Sequence, residues 1–197
     1  MEDIVLLGNI VRLRLLQERD AEITFRWRHS ERAKYLNRGA ATVEAQRKWI
    51  LGSAESGDLN FIIEYRGESV GMISLVDIDH THHSCSTGRL LIGEEKAVGN
   101  VPVVFDAEMA LLDYAFEKLH IHSIYGPVMG TNTGVLKLRR YLRYQQAGVY
   151  KDHYFVDGKY VDAILFSLLK DDYYKKCRRI LQATVGLYLK QNQASAQ

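Results

Sequence analysis

The chain contains few of the residues that mark secreted, fibrous or membrane proteins. Only two of its 197 residues are cysteines, Cys85 and Cys177, which is too few for a disulfide framework, so we expect a reducing, cytoplasmic setting. Proline also occurs only twice, which gives no sign of a linker or a second domain. No apolar run approaches the length that spans a bilayer. Glu2 and Asp3 stand where a signal peptide would carry positive charge, so we expect no such leader.

The small net charge argues against a partner that binds through strong charge of one sign. Twenty-six Lys and Arg face 24 Asp and Glu, a net charge of +2, which is too small for a nucleic-acid-binding surface. The hydrophobic share of 47% and charged share of 25% are ordinary for a soluble globular protein. We therefore expect one soluble domain without nucleic-acid or membrane partners, and a homodimer is left open.

The centre of the chain, residues 86–144, predicts a strand, a loop, a helix, a strand and a second helix. Leu90 to Ile92 form a short apolar strand that stops at Gly93. Apolar residues then recur at spacings of 4, 3, 4 and 3, which places them on one face of a helix. These residues are Phe105, Met109, Leu112, Phe116 and Leu119. Residues 123–129 predict the second strand, and two strands joined by a crossover helix are typically parallel.

Sequence on either side of this centre adds further strands and helices. The predicted flanking strands are 10–16, 59–65, 69–78, 147–155 and 160–169. The predicted flanking helices are 20–36 with Asp20 as N-cap, 43–53 with Thr42 as N-cap, and one that begins at Asp171. A break is expected at 37–39, and a polar connection that includes three histidines at 79–85. The sum is an α/β or α+β fold, a mixed sheet of about seven strands with helices on both faces.

This order of elements, together with several motifs, resembles the GNAT superfamily of acyl-CoA-dependent N-acetyltransferases. The motifs are AspTyrAlaPheGluLysLeu at 113–119, Asn132 before the second central helix, AspGlyLysTyrValAsp at 157–162 and PheArgTrpArg at 25–28. The similarity is greatest to the ribosomal-protein-alanine and amino-sugar-nucleotide types. It covers residues 8–172 and implies a GNAT fold with a mostly antiparallel sheet. It also implies acetyl-CoA as cosubstrate and a primary amine as acceptor. We assign one acetyltransferase domain to residues 1–172, followed by a C-terminal helix and polar tail at 173–197.

The resemblance places coenzyme A between the strand that ends at Gly93 and the helix that follows. A loop that enters a helix N-terminus offers free N–H groups to a phosphate. In this chain the loop, 94–105, keeps only Gly99 and has Pro102 and Val104 where the family usually has glycines. A backbone N–H near Leu91 or Ile92 would polarise the thioester carbonyl. The residues predicted to contact the cofactor are Leu91, Ile92, Gly93, Val98, Gly99, Asn100, Val101, Val103, Val104, Asn132, Gly134, Val135, Leu138 and Arg139.

The catalytic acid and base of the family have no direct counterpart here. The usual acid, a Tyr seven residues after the Asn, corresponds to Arg139, and Tyr141 lies two residues further on. Arginine does not donate its proton at ordinary pH, but its charge can stabilise a thiolate. Thr87 stands at the position of the usual Glu base. We therefore predict catalytic roles for Tyr141 and for a near-neutral histidine, with an ordinary polar surface loop as the alternative. The histidines are His80, His82 and His83, whose spacing does not match a standard zinc site, so no metal is expected.

The acceptor is expected to lie against the N-terminal helices. Candidate contacts are Trp27, Arg28, His29 and Asp79, although Trp27 also fits a core position by its helical spacing from Ile23. An amino-sugar nucleotide is the first predicted acceptor and a protein N-terminus the second. Two other interpretations remain open: an impaired member of the fold that binds an acyl-CoA or a partner, and an acyltransferase whose donor is a carrier protein.

Overall fold

The computed structural model describes residues 4–36 and 39–194, and a single sheet organises these two ranges. Eight strands are present in them: β1 (Val5–Leu7), β2 (Val11–Leu15), β3 (Leu59–Tyr65), β4 (Glu68–Asp79), β5 (Ser84–Ile92), β6 (Ser123–Met129), β7 (Gln145–Val156) and β8 (Lys159–Leu169). They lie in the order β1-β2-β3-β4-β5-β6-β8-β7. Among these strands only the β5–β6 pair is parallel, as the central strand–helix–strand pattern predicts.

The additional strand beyond the predicted seven is β1. Its three residues pair with β2 in the register Val5↔Arg14 to Leu7↔Arg12. Three residues are too few to show an alternating pattern, so the sequence does not mark this strand. The predicted polar connection at 79–85 was too long, because β4 continues to Asp79 and β5 already begins at Ser84.

Five helices were predicted, and seven α-helices are present in the described ranges, of which α3 and α6 are only four and three residues long. The α-helices are α1 (Ala21–Arg28), α2 (Val43–Glu55), α3 (Glu95–Val98), α4 (Val103–Glu117), α5 (Thr133–Tyr141), α6 (Lys170–Asp172) and α7 (Arg178–Ala194). A π-helical turn, Tyr173–Cys177, joins α6 to α7. Thr42 caps α2 as predicted, since its Oγ1 accepts the Ala45 N–H at 3.1 Å.

Two helix predictions were wrong. The helix expected over 20–36 stops at Arg28 and continues only as a short 3₁₀ turn, Glu31–Ala33. Asp20 does not cap it, because its carboxylate instead accepts hydrogen bonds from Arg14 and from the Gln17 N–H. Within the predicted C-terminal helix and polar tail at 173–197, α7 reaches Ala194. The predicted break at 37–39 and the end of the tail at 195–197 lie wholly or partly outside the described residues.

Apolar side chains form a core on each face of the sheet, with helices covering both. The larger core joins α4, α5 and α7 to residues such as Phe61 and Ile63 of β3, both fully buried. The smaller joins Trp27 of α1 to Ile62 and Met72. The alternation along β3 sends its successive side chains to opposite cores. No helix in the described ranges is long and apolar enough to cross a membrane.

The helix α4 is buried on nearly all sides and fixes the parts of the fold around it. Its Asp106 is fully buried, and the carboxylate accepts hydrogen bonds from the backbone N–H groups of Asn9 (3.1 Å), Ile10 (2.6 Å) and Val11 (2.9 Å). These bonds satisfy a carboxylate that would otherwise be costly to bury. They also hold the start of β2 against α4.

Candidate active site

The two parallel strands at the centre of the sheet separate part-way along their length. β5 and β6 pair only at Ser84↔Ser123, Cys85↔Ile124 and Ser86↔Tyr125. Beyond this point each strand continues without the other, which opens a wedge between the second halves of β5 and β6. The open end of the wedge leaves backbone groups without the sheet partners that they would otherwise have.

A β-bulge reshapes β5 where it faces this wedge. The register to β4 jumps from Ser74↔Gly88 to Met72↔Leu91, so Arg89 and Leu90 stand opposite one residue of β4. Arg89 adopts a φ of 53°, which an L-residue rarely adopts outside such irregular positions. Its guanidinium donates to Asp58 at 3.0 Å and to Asn60 at 2.8 Å.

A cavity of ≈ 190 Å³ occupies the wedge. It draws on β5, β6, the start of α5, β7 and the segment that follows the 3₁₀ turn. The lining residues are Tyr35, Leu36, Thr87, Gly88, Arg89, Leu90, Pro127, Val128, Met129, Asn132, Val135, Arg139 and Tyr154. Of the predicted cofactor contacts, Asn132, Val135 and Arg139 are therefore brought together here.

A buried ion pair closes the inner end of the cavity. Arg139 is 6% exposed and donates from Nη1 to Glu108 Oε1 at 3.0 Å, and Glu108 itself is fully buried. Arg139 Nη2 donates to Thr87 Oγ1 at 2.9 Å. Burial, the largest single effect, lowers the pKa of Arg139, but the charge and hydrogen bond of Glu108, together with the effects of Tyr144 and Cys177, outweigh it, so the pKa is raised and the guanidinium stays protonated.

Asn132 joins the cavity to the N-terminus of α5. Its side-chain oxygen accepts the Val135 N–H at 3.2 Å, which makes it the N-cap of this helix. Gly134 and Leu138 lie on the same helix but do not line the cavity. Leu138 packs against the larger core, while Gly134 is exposed.

The loop from β5 to α4 is built differently from the predicted open connection. It contains the one-turn helix α3, and α4 begins at Val103, with Pro102 before it and no side-chain cap. Val98 and Val103 are buried, while Gly99 and Asn100 are exposed. Gly99 takes a φ of 56°. The first turn of a helix without a side-chain cap presents N–H groups to an anion. Because the Val101 and Val103 N–H groups already donate to the Val98 and Val101 carbonyls, an anion at this end of α4 would meet the N–H groups from Val104 onward.

The end of β5 is packed rather than open. Leu91 belongs to the smaller core and Ile92 to the larger one. The Gly93 N–H donates to the Val70 carbonyl at 2.9 Å, on the side of β4. Because N–H groups alternate along a strand, the Ile92 N–H points away from β4. On that side Arg32 Nε donates to the Ile92 carbonyl at 2.9 Å, and neither Leu91 nor Ile92 lines the cavity. The geometry thus favours Ile92 over Leu91 as the predicted donor to a carbonyl.

Trp27 is a core residue rather than an acceptor contact. It is 2% exposed and its Nε1 donates to Glu94 Oε1 at 2.9 Å. A side chain at Gly93 would overlap its indole ring, so Gly93 allows α1 to lie close to β5. His29 is exposed, with Nδ1 2.9 Å from the Phe25 carbonyl oxygen.

Arg89 places positive charge in the lining of the cavity. Burial first, and then the charge of Arg89, lower the pKa of Arg28. Arg89 also lies over the Trp49 ring, 5.3 Å from its centroid. Asp58, bonded to Arg89, is the acidic side chain that offsets this charge locally.

The three predicted histidines do not lie with the cavity residues. His80, His82 and His83 occupy the exposed turn between β4 and β5. This turn adjoins the paired end of β5 and β6, whereas the cavity lies toward the opposite, separated end. Asp79 holds the turn by accepting the Thr81 N–H at 2.8 Å and by contacting His82 Nδ1 at 2.7 Å. Asp79 therefore stabilises a turn and does not reach the cavity.

Tyr141 also points away from the cavity. It is 53% exposed, its hydroxyl lies 3.5 Å from Thr184 Oγ1 of α7, and its ring meets Phe105 edge-on. Two residues along a helix is about half a turn. Since Arg139 faces the cavity, Tyr141 faces the other side.

A family model described as an acetyltransferase (GNAT) domain matches residues 11–144 of the chain. The chain belongs to the GNAT family. As GNAT proteins generally use acetyl-CoA, the wedge and the uncapped end of α4 are the regions of this chain that fit it.

Relatives and solved structures agree with the assignment to the GNAT family. The N-acetyltransferase p20 of Bacillus licheniformis, whose activity is uncharacterised, is 26% identical over 171 residues, 82% of this chain and 93% of that protein. Spermidine N(1)-acetyltransferase of Escherichia coli K12 is 24% identical over 119 residues, 60% of this chain and 62% of that protein. The fold matches Mycobacterium smegmatis RimJ in complex with CoA-disulfide at a TM-score of 0.75 and 21% identity, over 92% of this chain and 93% of that one.

Several residues of this GNAT cavity are absent from the sequence-based set. Arg89 and Leu90 were missed because a bulge leaves no mark in an apolar run. Tyr35 and Tyr154 were missed because they come from segments distant in sequence from the rest of the lining.

Proposed function

We propose that this protein transfers an acetyl group from acetyl-CoA to the primary amine of a small molecule that also carries an anionic group. The observation that supports this acceptor class is the positive charge of Arg89 in the cavity lining, which also acts on Arg28. An anionic group of the acceptor bound near Arg89 would gain Coulomb energy from this guanidinium. An amino-sugar nucleotide, with its phosphates, belongs to this class.

The chain's own residues supply positioning and charge in this proposal. The open backbone of the wedge binds the donor, and the Ile92 N–H polarises the thioester carbonyl. The amine attacks that carbonyl directly, and its lost proton passes to solvent. Arg139, held by Glu108, offers positive charge to the departing thiolate. Positioning alone supplies much of the rate of such a reaction.

A second acceptor class is favoured by the names of some relatives. Proteins similar to this chain over 119 residues are named spermidine N(1)-acetyltransferases. Spermidine is a polycation, and each added positive charge near Arg28 and Arg89 costs Coulomb energy. The two proposals therefore predict opposite charge preferences.

The test compares acceptors that differ in charge. Purified protein is assayed with acetyl-CoA and either glucosamine 6-phosphate, glucosamine or spermidine. We expect kcat/KM to be highest for the phosphate-bearing amine, and we expect Arg89→Gln to reduce its advantage over glucosamine. A preference for spermidine would overturn the proposed acceptor class. Turnover only with an acetylated carrier protein would show that the donor is a carrier protein rather than acetyl-CoA. Binding of acetyl-CoA without turnover of any amine would identify the protein as a non-catalytic member of the family.

A further inference from the structure

The separated end of β5 is bonded from the side by an arginine of the 3₁₀ turn Glu31–Ala33. β5 loses its β6 partner beyond Ser86, so the later carbonyls on that edge of β5 need other donors. Arg32 supplies one of them, because its Nε donates to the Ile92 carbonyl at 2.9 Å. The arginine thus takes the place of a sheet partner at the point where β5 ends.

The same guanidinium also holds the loop that follows β5. Arg32 Nη1 forms an ion pair with Glu95, the first residue of the one-turn helix α3. Two nitrogens of one planar group therefore contact the strand end and the loop at the same time. Such a fork fixes the direction of a side chain in a way that a single ammonium group cannot.

The turn that carries Arg32 leads directly into the wall of the cavity. Ala33 anchors the turn, since it is buried in the smaller core that also contains Leu91. Tyr35 and Leu36 follow and line the cavity in the wedge. They are the part of the lining that the N-terminal segment contributes, and the acceptor is expected to bind against that segment. We call Tyr35 and Leu36 the acceptor wall.

The loop that contains Glu95 leads to the region that fits the donor. After α3 the chain reaches the uncapped end of α4, which begins at Val103. The residue before α3 is also held from the N-terminal side, because Glu94 accepts a hydrogen bond from Trp27 Nε1 at 2.9 Å. The acceptor wall and the donor loop are therefore joined by side-chain contacts, although they lie far apart in the sequence.

We infer that Arg32 is a positioning residue for acetyl transfer, which couples the acceptor wall to the donor loop. This role rests on the proposed function. Arg32 acts through Ile92 and Glu95 rather than on a substrate. A donor bound at α4 fixes the loop, and the contacts of Arg32 carry that order to Tyr35 and Leu36. The two substrates should therefore bind with positive coupling, since an acceptor that meets an ordered wall pays less entropy on binding.

The exposure of the ion pair explains why a bound donor affects the acceptor wall. The side chains of Arg32 and Glu95 are 43% and 60% exposed, and an ion pair so exposed contributes little by itself. The wall is consequently held firmly only when the loop on the other side of the pair is also fixed. By linkage, a bound acceptor must strengthen donor binding by the same factor.

The test measures acceptor binding with and without a bound cofactor. Glucosamine 6-phosphate, or spermidine if the comparison of acceptors favours it, is titrated by calorimetry into the protein alone and into protein saturated with free CoA. Neither pair can react. In wild type, CoA should raise the acceptor affinity by about fivefold or more, and in Arg32→Gln this gain should vanish. The acceptor KM of Arg32→Gln should rise by about tenfold, with kcat and the affinity for acetyl-CoA close to those of wild type.

Three further variants separate this contact from other effects of the substitution. Glu95→Gln removes the partner without altering the 3₁₀ turn, so it should reproduce the raised KM, and the double variant should add little to it. Arg32→Lys keeps the charge but cannot bond both partners at once, so it should restore only part of the coupling. Arg26→Gln is the matched control and should keep the wild-type KM, because Arg26 pairs with Glu94 of the same loop but no residue of α1 lines the cavity.

Three results would overturn the role of Arg32 while leaving the proposed function intact. The first is a gain in acceptor affinity with CoA that is absent in wild type or unchanged in Arg32→Gln. The second is an unchanged acceptor KM in both Arg32→Gln and Glu95→Gln. The third is a fall in kcat without a change in KM, which would place the effect at the Ile92 backbone. Wild-type protein that acetylates none of the amines would contradict the proposed function, and the titration with free CoA would still decide whether Arg32 joins the two sites.

Discussion

Arg139 Nη1 lies 3.0 Å from Glu108 Oε1, and the two side chains form a buried ion pair at the inner end of the wedge. The pair links α4, which supports the sheet, to α5, which carries Asn132. Thr87 receives the second arm of the guanidinium. One contact thus joins both helices to the strand on which the cavity is built.

Replacing Glu108 with Gln should destabilise the protein. The change leaves the Arg139 charge buried without compensation, which we expect to cost about 3 kcal/mol of unfolding free energy. Urea denaturation measures the effect. Asp171→Asn is the control, because its pair with Lys175 is exposed and its loss should leave stability unchanged. Equal stability in all three proteins would show that the ion pair does not hold α4 and α5 together.

Replacing Asn132 should separate its two roles. Asn132→Ala removes the N-cap and should cost about 1 kcal/mol of stability, together with a loss of acetyl-CoA affinity. Asn132→Ser keeps a capping oxygen and should restore the stability. If affinity returns with Ser as well, the residue acts through the helix cap; if it does not, the amide itself contacts the donor. Affinity unchanged in the Ala variant would contradict any role of Asn132 in binding.

Replacing Gly93 with Ala should displace α1. The added methyl group would overlap the Trp27 indole, and such overpacking typically costs about 1–3 kcal/mol. Gly52→Ala is the matched control, since nothing lies within 4 Å of its added carbon and Ala favours a helix. Thermal unfolding should show Gly93→Ala less stable and Gly52→Ala slightly more stable than wild type. A neutral Gly93→Ala variant would mean that α1 does not pack as closely as described.

Replacing the turn histidines should leave the pH–rate profile unchanged. His80, His82 and His83 are exposed at the paired end of β5 and β6, away from the cavity. Steady-state acetyl transfer is measured across pH for each Ala variant. A shifted pH–rate profile in any of the three Ala variants would indicate that the replaced histidine acts as the catalytic base. The turn itself depends on Asp79, whose pKa is lowered by hydrogen bonds from the backbone and then the side chain of His82.

The sequence predicts the fold well because the fold depends on repeated patterns. The 4, 3, 4, 3 spacing from Phe105 marks α4, and alternation marks β2 and β3. The parallel pairing of β5 with β6 follows from the helix between them. The sequence does not predict β1 or the early end of α1, because each depends on tertiary contacts rather than on a periodic run of residues.

The cavity was harder to predict because single residues decide it. Asn132, Val135 and Arg139 were found through their places in a motif, and all three line the wedge. Tyr141 was predicted as a catalytic residue because of its chemistry alone. It lies half a helical turn from Arg139 and therefore faces away from the cavity. Arg89 lines the cavity at a bulge in β5. Such a bulge has no spacing that the sequence shows.

Calorimetric titration with acetyl-CoA, with free CoA in parallel, tests the central claim most directly. The claim is that the wedge between β5 and β6, with the uncapped end of α4, binds the donor in spite of the missing loop glycines. We predict saturable one-to-one binding of both ligands, weakened in Asn132→Ala. No binding of either ligand to the folded wild-type protein would contradict the account.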